Sequence, residues 1–160
     1  MAERLLIMRH AQAQPGHPDA ARTLTAHGER EAARMGAWLA ARDDLARASL
    51  RLLASPYVRA QQTAARVAAP LGLEVEPLAL LTPDDAPGDV VEWLLAEPDD
   101  RPILLVSHMP LVAALTARLV EGHGGRGPAF PTAAVAELEA EVWAAGCARL
   151  VGFTEPARLG

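Results

Sequence analysis

The chain has little cysteine and no excess of positive charge. Cys147 is its one cysteine, so no internal disulfide can form and no oxidising compartment is needed. The formal net charge is −5 at pH 7, which is not typical of a general binder of nucleic acid or anionic membranes. The first residues also lack the features of a secretory signal. We therefore expect a cytoplasmic protein that binds neither nucleic acid nor membrane.

The composition is otherwise that of an ordinary folded protein. Apolar residues make up 51% of the chain and charged residues 22%, which separates it from disordered proteins. A chain of 160 residues is long enough to bury a sizeable core and fits one domain. No repeat, low-complexity tract or linker divides it. We therefore predict a single domain over residues 1–160.

Three short apolar runs end in side chains suited to a binding site. The runs lie at residues 5–8, 50–54 and 103–106 and are typical of strands buried in a sheet. The polar side chains that follow them are Arg9 and His10, Ser55 and Arg59, and Ser107 and His108. If the strands are parallel and adjacent, their carboxyl ends bring these side chains to one crevice. That is where ligands bind in open α/β sheets.

The rest of the chain alternates predicted helices with predicted strands. We expect helices near residues 26–42, 56–70, 90–96 and 110–120, the first capped by Thr25 and the second by Ser55, with Pro56 at its first position. Further strands are expected at 74–76, 134–142 and 149–153, and acidic residues alternating with apolar ones predict that the second is half-buried. The fold predicted is an α/β, three-layer α/β/α sandwich. Its mixed sheet is mostly parallel, with an antiparallel C-terminal hairpin.

The residue types at the predicted crevice favour phosphoryl chemistry. Imidazole can attack phosphorus and hold a phosphoryl group covalently. The guanidinium of an arginine can bind two phosphate oxygens at once and stays charged at ordinary pH. A metal site is the competing use of His10 and His108, but no carboxylate or thiolate lies at ligand-like spacing near either. We therefore expect no metal and no cofactor, and we interpret three other histidines as solvated: His17, His27 and His123.

Four segments, in this order, resemble the histidine phosphatase superfamily. They are LLIMRHAQA at residues 5–13, RTLTAHG at 22–28, ASPYVRAQQT at 54–63 and VSHMP at 106–110. The superfamily's signature is an Arg-His-Gly triplet at the end of the first strand. The short chain, the RTLT segment and the Leu-Thr-Pro after the third strand look most like the SixA-type phosphohistidine phosphatases. The resemblance covers nearly the whole chain and implies a phosphoglycerate mutase-like fold.

The resemblance also implies roles for five side chains. His10 would be the nucleophile that becomes transiently phosphorylated, with Arg9 and His108 as its catalytic neighbours. Arg9, Arg59 and His108 would bind the phosphoryl group. Arg22, in the RTLT segment, would reach in from the loop as a further phosphate ligand.

Two departures from the family pattern bear on the pocket. Ala11 replaces the usual glycine of the triplet and adds a methyl group where the backbone runs close to the site. Many phosphomonoesterases of the superfamily carry an acidic proton donor after the third strand, where this chain has PLALLTP and no acid before Asp84 and Asp85. An aliphatic alkoxide needs protonation to leave, whereas imidazole departs as a neutral ring at ordinary pH. The missing acid therefore favours a P–N bond as substrate.

We expect a metal-independent phosphatase, acting as a monomer, whose partner is a histidine-phosphorylated phosphotransfer or phosphocarrier protein. Without a long insertion to form a lid, an open pocket could admit a side chain still attached to a protein. Two alternatives remain. One is a phosphatase of small phosphomonoesters with Asp84 or Asp85 as a distant acid, and the other is a non-catalytic phosphate-binding module.

Overall fold

Six strands form one mixed sheet in the computed structural model, which describes residues 2–45, 47–97 and 100–159. In chain order the strands are β1 (Glu3–Arg9), β2 (Arg51–Ala54), β3 (Val75–Pro77), β4 (Ile103–Ser107), β5 (Val135–Ala140) and β6 (Arg149–Thr154). Their order across the sheet is β3-β2-β4-β1-β5-β6. The first four strands in this order, β3, β2, β4 and β1, are parallel to one another. Strand β5 is antiparallel to both β1 and β6. The predicted mixed sheet with a C-terminal hairpin is confirmed.

Four α-helices within the described residues connect the strands and cover both faces of the sheet. They are α1 (Ala26–Ala40), α2 (Val58–Ala68), α3 (Pro87–Ala96) and α4 (Leu111–Glu121). Leu6 and Met8 point into the core beneath α1 and α2, while Leu5 and Ile7 point into the core beneath α3 and α4. All four side chains are fully buried, since alternate residues of a strand face opposite sides and here both sides are covered.

The start of α1 follows the sequence prediction closely. Thr25 precedes the helix in an extended conformation, and its hydroxyl oxygen accepts the N–H of Gly28 at 2.9 Å. The cap satisfies one of the free N–H groups of the first turn. Glycine is required at position 28 because a Cβ there would lie 2.0 Å from the carbonyl oxygen of Gln12. The loop that leaves β1 is thereby pressed against the start of α1.

The predicted start of α2 is wrong. The helix begins at Val58 with Tyr57 in the capping position, so Ser55 and Pro56 lie before it. The hydroxyl oxygen of Ser55 does accept a backbone N–H, but that of Tyr57, at 3.2 Å. The Ser-Pro pair therefore ends the strand without capping the helix, and the serine hydroxyl faces His108. Smaller shifts affect α3, which begins at Pro87 and not near Val90.

The half-buried character predicted for the strand at residues 134–142 is also wrong. Strand β5 is buried on both faces, and the side chain of Glu137 is 8% exposed. Its carboxylate pairs with Arg4 of β1 and with Arg42, which follows α1, the latter at 2.6 Å. Because both arginines come from distant parts of the chain, the alternating pattern within β5 could not reveal that this acid faces the interior.

Candidate active site

The register of the sheet sets the two histidines side by side. Arg9 pairs with Ser107 across β1 and β4, so the next residues, His10 and His108, leave the sheet at the same level. The backbone N–H of His10 still donates to the carbonyl of Ser107, at 2.9 Å, which fixes the chain just beyond the strand. The two imidazole centroids lie 5.1 Å apart. Both rings are buried, His10 with 7% and His108 with 1% of its surface exposed.

Arg59 completes the convergence of three segments that the sequence predicts. It lies in the first turn of α2, is 4% exposed, and its Nε donates to Nε2 of His10 at 3.3 Å. Tyr57 supports both groups, since its ring lies 5.1 Å from the centre of the Arg59 guanidinium and 5.1 Å from the ring of His108. A guanidinium over an aromatic face is held by the ring's negative potential.

The hydrogen bonds of His10 define which nitrogen carries its proton. Nδ1 lies 2.7 Å from the carbonyl oxygen of Ala11, which can only accept, so Nδ1 is the protonated nitrogen. Nε2 receives the N–H of Arg59, which can only donate, so Nε2 holds the lone pair. The two contacts agree on one tautomer. His10 is thus presented as a neutral imidazole whose nucleophilic nitrogen faces a guanidinium.

The electrostatic surroundings keep both imidazoles neutral. Burial lowers the pKa of His10 to about 4, helped by the charges of three arginines and opposed by the hydrogen bond to Ala11. Burial likewise lowers the pKa of His108 to about 3, with further contributions from the neighbouring His10 and Arg59. At neutral pH each ring therefore keeps one nitrogen lone pair, which is what a nucleophile needs.

His108 is oriented by Ser55. Its Nε2 lies 2.8 Å from the serine oxygen, which already accepts the N–H of Tyr57. A hydroxyl oxygen can accept a second hydrogen bond as well as donate its own, so this contact is compatible with either neutral tautomer of His108. The other ring nitrogen, Nδ1, is buried and has no hydrogen-bond partner among the described residues. An unpartnered buried polar atom is costly, so Nδ1 of His108 indicates a group that awaits a ligand.

Arg9 also has a buried polar atom of this kind. One terminal nitrogen donates to the carbonyl oxygen of Phe130 at 2.8 Å, which fixes the side chain. Its buried Nε is unpartnered within the part of the chain that the structure describes. The charge of Arg9 contributes to the lowered pKa of both His10 and His108, so the guanidinium acts on both rings.

The loop between β1 and α1 carries Arg22 and, three residues before it, a residue that sequence reasoning missed. Asp19 accepts a hydrogen bond from Arg22 at 3.0 Å on one carboxylate oxygen and from Arg59 at 3.1 Å on the other. The Arg22 and Arg59 hydrogen bonds lower the pKa of Asp19, although burial opposes them, so the carboxylate is ionised at neutral pH.

The alanine in place of the usual glycine fits the backbone. Ala11 is fully buried and does not lie in the left-handed region of φ, so nothing about its conformation requires glycine. Its N–H donates to the hydroxyl of Thr63 at 3.0 Å, and that hydroxyl donates to the carbonyl of Arg59 at 2.8 Å. Thr63 therefore ties the residue after His10 to the helix that carries Arg59.

The remaining candidates lie apart from these contacts. The three histidines interpreted as solvated, His17, His27 and His123, are exposed. Asp84 is exposed, and the carboxylate of Asp85 accepts the N–H and hydroxyl of Thr82 at 2.9 and 2.6 Å. Within residues 2–45, 47–97 and 100–159, no group of three or more His, Cys, Asp and Glu side chains is arranged to hold a metal ion. No helix in these ranges is both long and apolar enough to cross a membrane.

Comparison with known proteins identifies the family. A sequence model of the histidine phosphatase superfamily (branch 1) matches residues 5–82. The chain is 37% identical to the phosphohistidine phosphatase SixA homolog of Haemophilus influenzae, over 84% of this chain and 86% of that protein. It is 35% identical to the phosphohistidine phosphatase SixA of Escherichia coli, over 84% and 83%. A structure of SixA complexed with tungstate superposes with a TM-score of 0.86 at 32% identity, covering 98% of this chain and 99% of that one. The chain belongs to the histidine phosphatase superfamily and, within it, to the SixA-like phosphohistidine phosphatases.

Proposed function

We propose that the protein removes the phosphoryl group from histidine in a phosphotransfer or phosphocarrier protein, through a covalent intermediate on His10. The observation that carries this proposal is the state of His10, a neutral ring with Nδ1 bonded to the Ala11 carbonyl and the Nε2 lone pair available. The two SixA relatives named above are phosphohistidine phosphatases, which supports the same substrate class.

In the first step, Nε2 of His10 attacks phosphorus. The N–P bond to His10 forms as the bond to the substrate's imidazole nitrogen breaks, and the substrate ring leaves with its electron pair. Arg59 must turn from Nε2 to a phosphoryl oxygen, a small movement because its Nε already lies 3.3 Å from the attacking atom. Nδ1 of His10 keeps its proton and donates it in a hydrogen bond to the carbonyl of Ala11, which stabilises the positive charge that the ring acquires.

The arginines and His108 stabilise the negative charge on the transferring phosphoryl group. Among the described residues, Nε of Arg9 and Nδ1 of His108 are buried without a partner, and Arg59 is the guanidinium next to the attacking atom. Preformed donors of this kind stabilise phosphoryl transfer because they need no reorganisation when the charge develops. Tungstate is a tetrahedral oxyanion like phosphate, and its presence in the related SixA structure is consistent with this use of the pocket.

In the second step, water attacks the phosphorus of phospho-His10. The N–P bond breaks and its electron pair returns to Nε2, which restores the neutral tautomer with the proton on Nδ1. The proton of the attacking water ends on the phosphate product. His10 therefore needs no external acid to leave, since the hydrogen bond to Ala11 has kept its proton in place throughout.

The ionised state of the carboxylate in the site also favours a phosphohistidine substrate. Asp19 is bonded to two guanidinium groups, and its lowered pKa keeps it ionised, so it does not serve as a general acid. A leaving alkoxide would need such an acid, whereas a protonated phosphohistidine releases a neutral ring. The site is accordingly suited to P–N bonds and to esters of acidic alcohols.

Rates on a phosphorylated histidine phosphotransfer protein, an aryl phosphate and a sugar phosphate test this proposal. We expect fast hydrolysis of the phosphoprotein and a rate on the sugar phosphate lower by about 10² to 10⁴ relative to an activated ester, the usual cost of a missing general acid. Equal rates on sugar phosphate and phosphoprotein would contradict it. Phosphate binding without turnover of any substrate would indicate the non-catalytic module instead.

The double variant Asp84→Asn, Asp85→Asn tests the ester phosphatase separately. Because Asp84 is exposed and Asp85 is bonded to Thr82, we expect the variant to hydrolyse phosphohistidine and aryl phosphate at wild-type rates. Loss of ester hydrolysis alone would identify one of these carboxylates as a proton donor. The single variants would then assign it.

A further inference from the structure

The carboxylate of Asp19 occupies a position between two guanidinium groups that the proposed mechanism assigns to the phosphoryl group. Its two oxygens accept from Arg22 at 3.0 Å and from Arg59 at 3.1 Å. A phosphate oxygen makes the same charge-assisted bonds to arginine as a carboxylate oxygen does. The free protein therefore already contains an anion bound to two of its phosphate-binding residues.

We propose that Asp19 is an internal competitor of the phosphoryl group, which weakens the binding of phosphate and so promotes release of the product. This inference rests on the proposed function, because it takes Arg22 and Arg59 to bind the phosphoryl group. In the free enzyme the carboxylate balances the charge of both arginines. When substrate enters, its phosphoryl oxygens replace the carboxylate, and when phosphate is formed, Asp19 displaces it.

The opposite role, in which Asp19 holds the arginines in place for phosphate, is disfavoured by their other contacts. Arg59 also donates to the backbone carbonyl of Asp19 at 2.7 Å and to His10 at 3.3 Å. Arg22 also donates to the backbone carbonyl of Gln14, at 2.6 Å. Each guanidinium thus has an uncharged anchor that does not depend on the carboxylate, so loss of the carboxylate charge leaves both groups positioned.

The surroundings of Asp19 allow its carboxylate to leave the site easily. Its side chain is 54% exposed, whereas that of Arg59 is 5% exposed. The short turn Asp19–Ala21 that carries it has no buried residue. An exposed carboxylate regains water when it swings out, so the exchange of one anion for another requires little rearrangement of the fold. In this exchange the buried Arg59 passes from one anion to the other.

The test is the affinity for inorganic phosphate, measured by calorimetry at pH 7. In Asp19→Asn the competing charge is gone while both uncharged anchors remain, so we expect phosphate to bind about two- to thirtyfold more tightly, the range set by the loss of two exposed ion pairs. Asp19→Ala should shift the affinity in the same direction, which excludes an effect of the new amide. Equal or weaker binding by both variants would overturn the inference.

Asp43→Asn is the matched control. Asp43 is also an exposed aspartate paired with an arginine, Arg47, but it lies beyond the opposite end of α1 from the loop. The substitution changes the net charge of the protein by the same amount and should leave phosphate affinity unchanged. If it tightens binding as much as Asp19→Asn does, the effect is one of net charge and the inference fails.

A kinetic readout separates this inference from the proposed function. With an aryl phosphate as substrate, the inhibition constant of phosphate should fall in Asp19→Asn by the same factor as the dissociation constant. Wild-type protein that binds no phosphate, or binds it equally well after Arg59→Ala, would contradict the proposed site. Wild-type binding that requires Arg59 but does not tighten in the Asp19 variants would contradict only the role of Asp19.

Discussion

A buried and an exposed carboxylate that each lie between two arginines serve different purposes in this protein. The site cluster consists of Asp19, Arg22 and Arg59, and the flank cluster consists of Glu137, Arg4 and Arg42. In the flank cluster the carboxylate is the buried member, with 8% of its side chain exposed. In the site cluster the carboxylate is 54% exposed, and the buried member is Arg59.

The clusters also differ in charge balance. Arg4 and Arg42 have further carboxylate partners, Glu139 at 2.7 Å and Asp44 at 2.5 Å, so the flank cluster is neutralised within the fold. The site cluster adjoins a third arginine, Arg9, and two neutral imidazoles, while its hydrogen-bonded carboxylate is Asp19 alone among the described residues. An arginine–carboxylate cluster therefore indicates a binding site when positive charge and unpartnered polar atoms remain in excess, as they do around His10 among the described residues.

Loss of a guanidinium from the site cluster should affect activity more than any other change considered. Arg59→Ala should slow hydrolysis by about 10² to 10³, the usual cost of one preformed donor to a developing oxyanion. Because the proposed mechanism has Arg59 contact the phosphoryl group and not the leaving group, every substrate should slow by a similar factor. Steady-state rates on phosphoprotein and aryl phosphate measure this.

Arg66→Ala is the control for that prediction. Arg66 lies on the same helix, α2, but its side chain is 54% exposed and pairs with Glu29. Its loss should leave the rates within about twofold of wild type, since an exposed ion pair contributes little. Equal effects of the two variants would remove the distinction between the site cluster and an ordinary surface arginine.

Loss of charge from the flank cluster should affect stability and leave activity intact. Glu137→Gln leaves Arg4 and Arg42 beside a neutral amide, and we expect the free energy of unfolding to fall by about 1 to 3 kcal/mol, below the value for a fully buried pair because both arginines are partly exposed. Glu139→Gln, on the same strand but 24% exposed, should cost less than about 1 kcal/mol.

Denaturant titration of both variants measures the difference, and the rate on phosphoprotein serves as the second readout. A reduced rate in folded Glu137→Gln would mean that the flank cluster takes part in function. No loss of stability would mean that the pairing of Glu137 merely offsets the cost of its burial.

The positions of the site histidines could be predicted because they depend on local pattern. An apolar run that is buried on both faces is recognisable in the sequence, and the point where it ends marks the edge of the sheet. His10 and His108 lie just beyond two such runs. Because β1 and β4 are parallel neighbours with Arg9 opposite Ser107, the two histidines lie side by side. The same reasoning located Arg59, since it lies one turn into the segment after β2.

Contacts between distant segments could not be predicted in this way. Asp19 lies in a loop without periodicity, and its role depends on Arg59, which reaches it from α2. Glu137 has the alternating pattern of a half-buried strand, but arginines from β1 and the end of α1 compensate its charge in the interior. Ser55 fits the sequence rule for a helix cap, yet its hydroxyl orients His108.

The lowered pKa values of the site histidines predict a pH dependence of stability. Both rings are neutral in the folded protein down to about pH 4 or below, while an unfolded histidine takes up its proton near pH 6.5. As pH falls from 6.5 towards 4, the unfolded state binds more protons and the folded protein loses stability. The slope is at most about 1.4 kcal/mol per pH unit for each histidine.

The variant His10→Gln isolates the contribution of one ring. Removing one titrating group should reduce the dependence of unfolding free energy on pH within this window and leave it unchanged above pH 7. Carboxylates contribute equally to both proteins, so the difference between the two curves reports His10. Superimposable pH dependence would mean that His10 is not held neutral by its surroundings.

The most direct test of the proposed mechanism is to trap the phosphoryl group on the enzyme. The protein is mixed with a phosphotransfer protein carrying labelled phosphohistidine, quenched in alkali within the first turnover, and cleaved for peptide mapping. The account predicts an acid-labile, base-stable label on Nε2 of His10, absent from His10→Ala, which should no longer hydrolyse the substrate. Label on His108, or turnover without any labelled histidine in the enzyme, would contradict it.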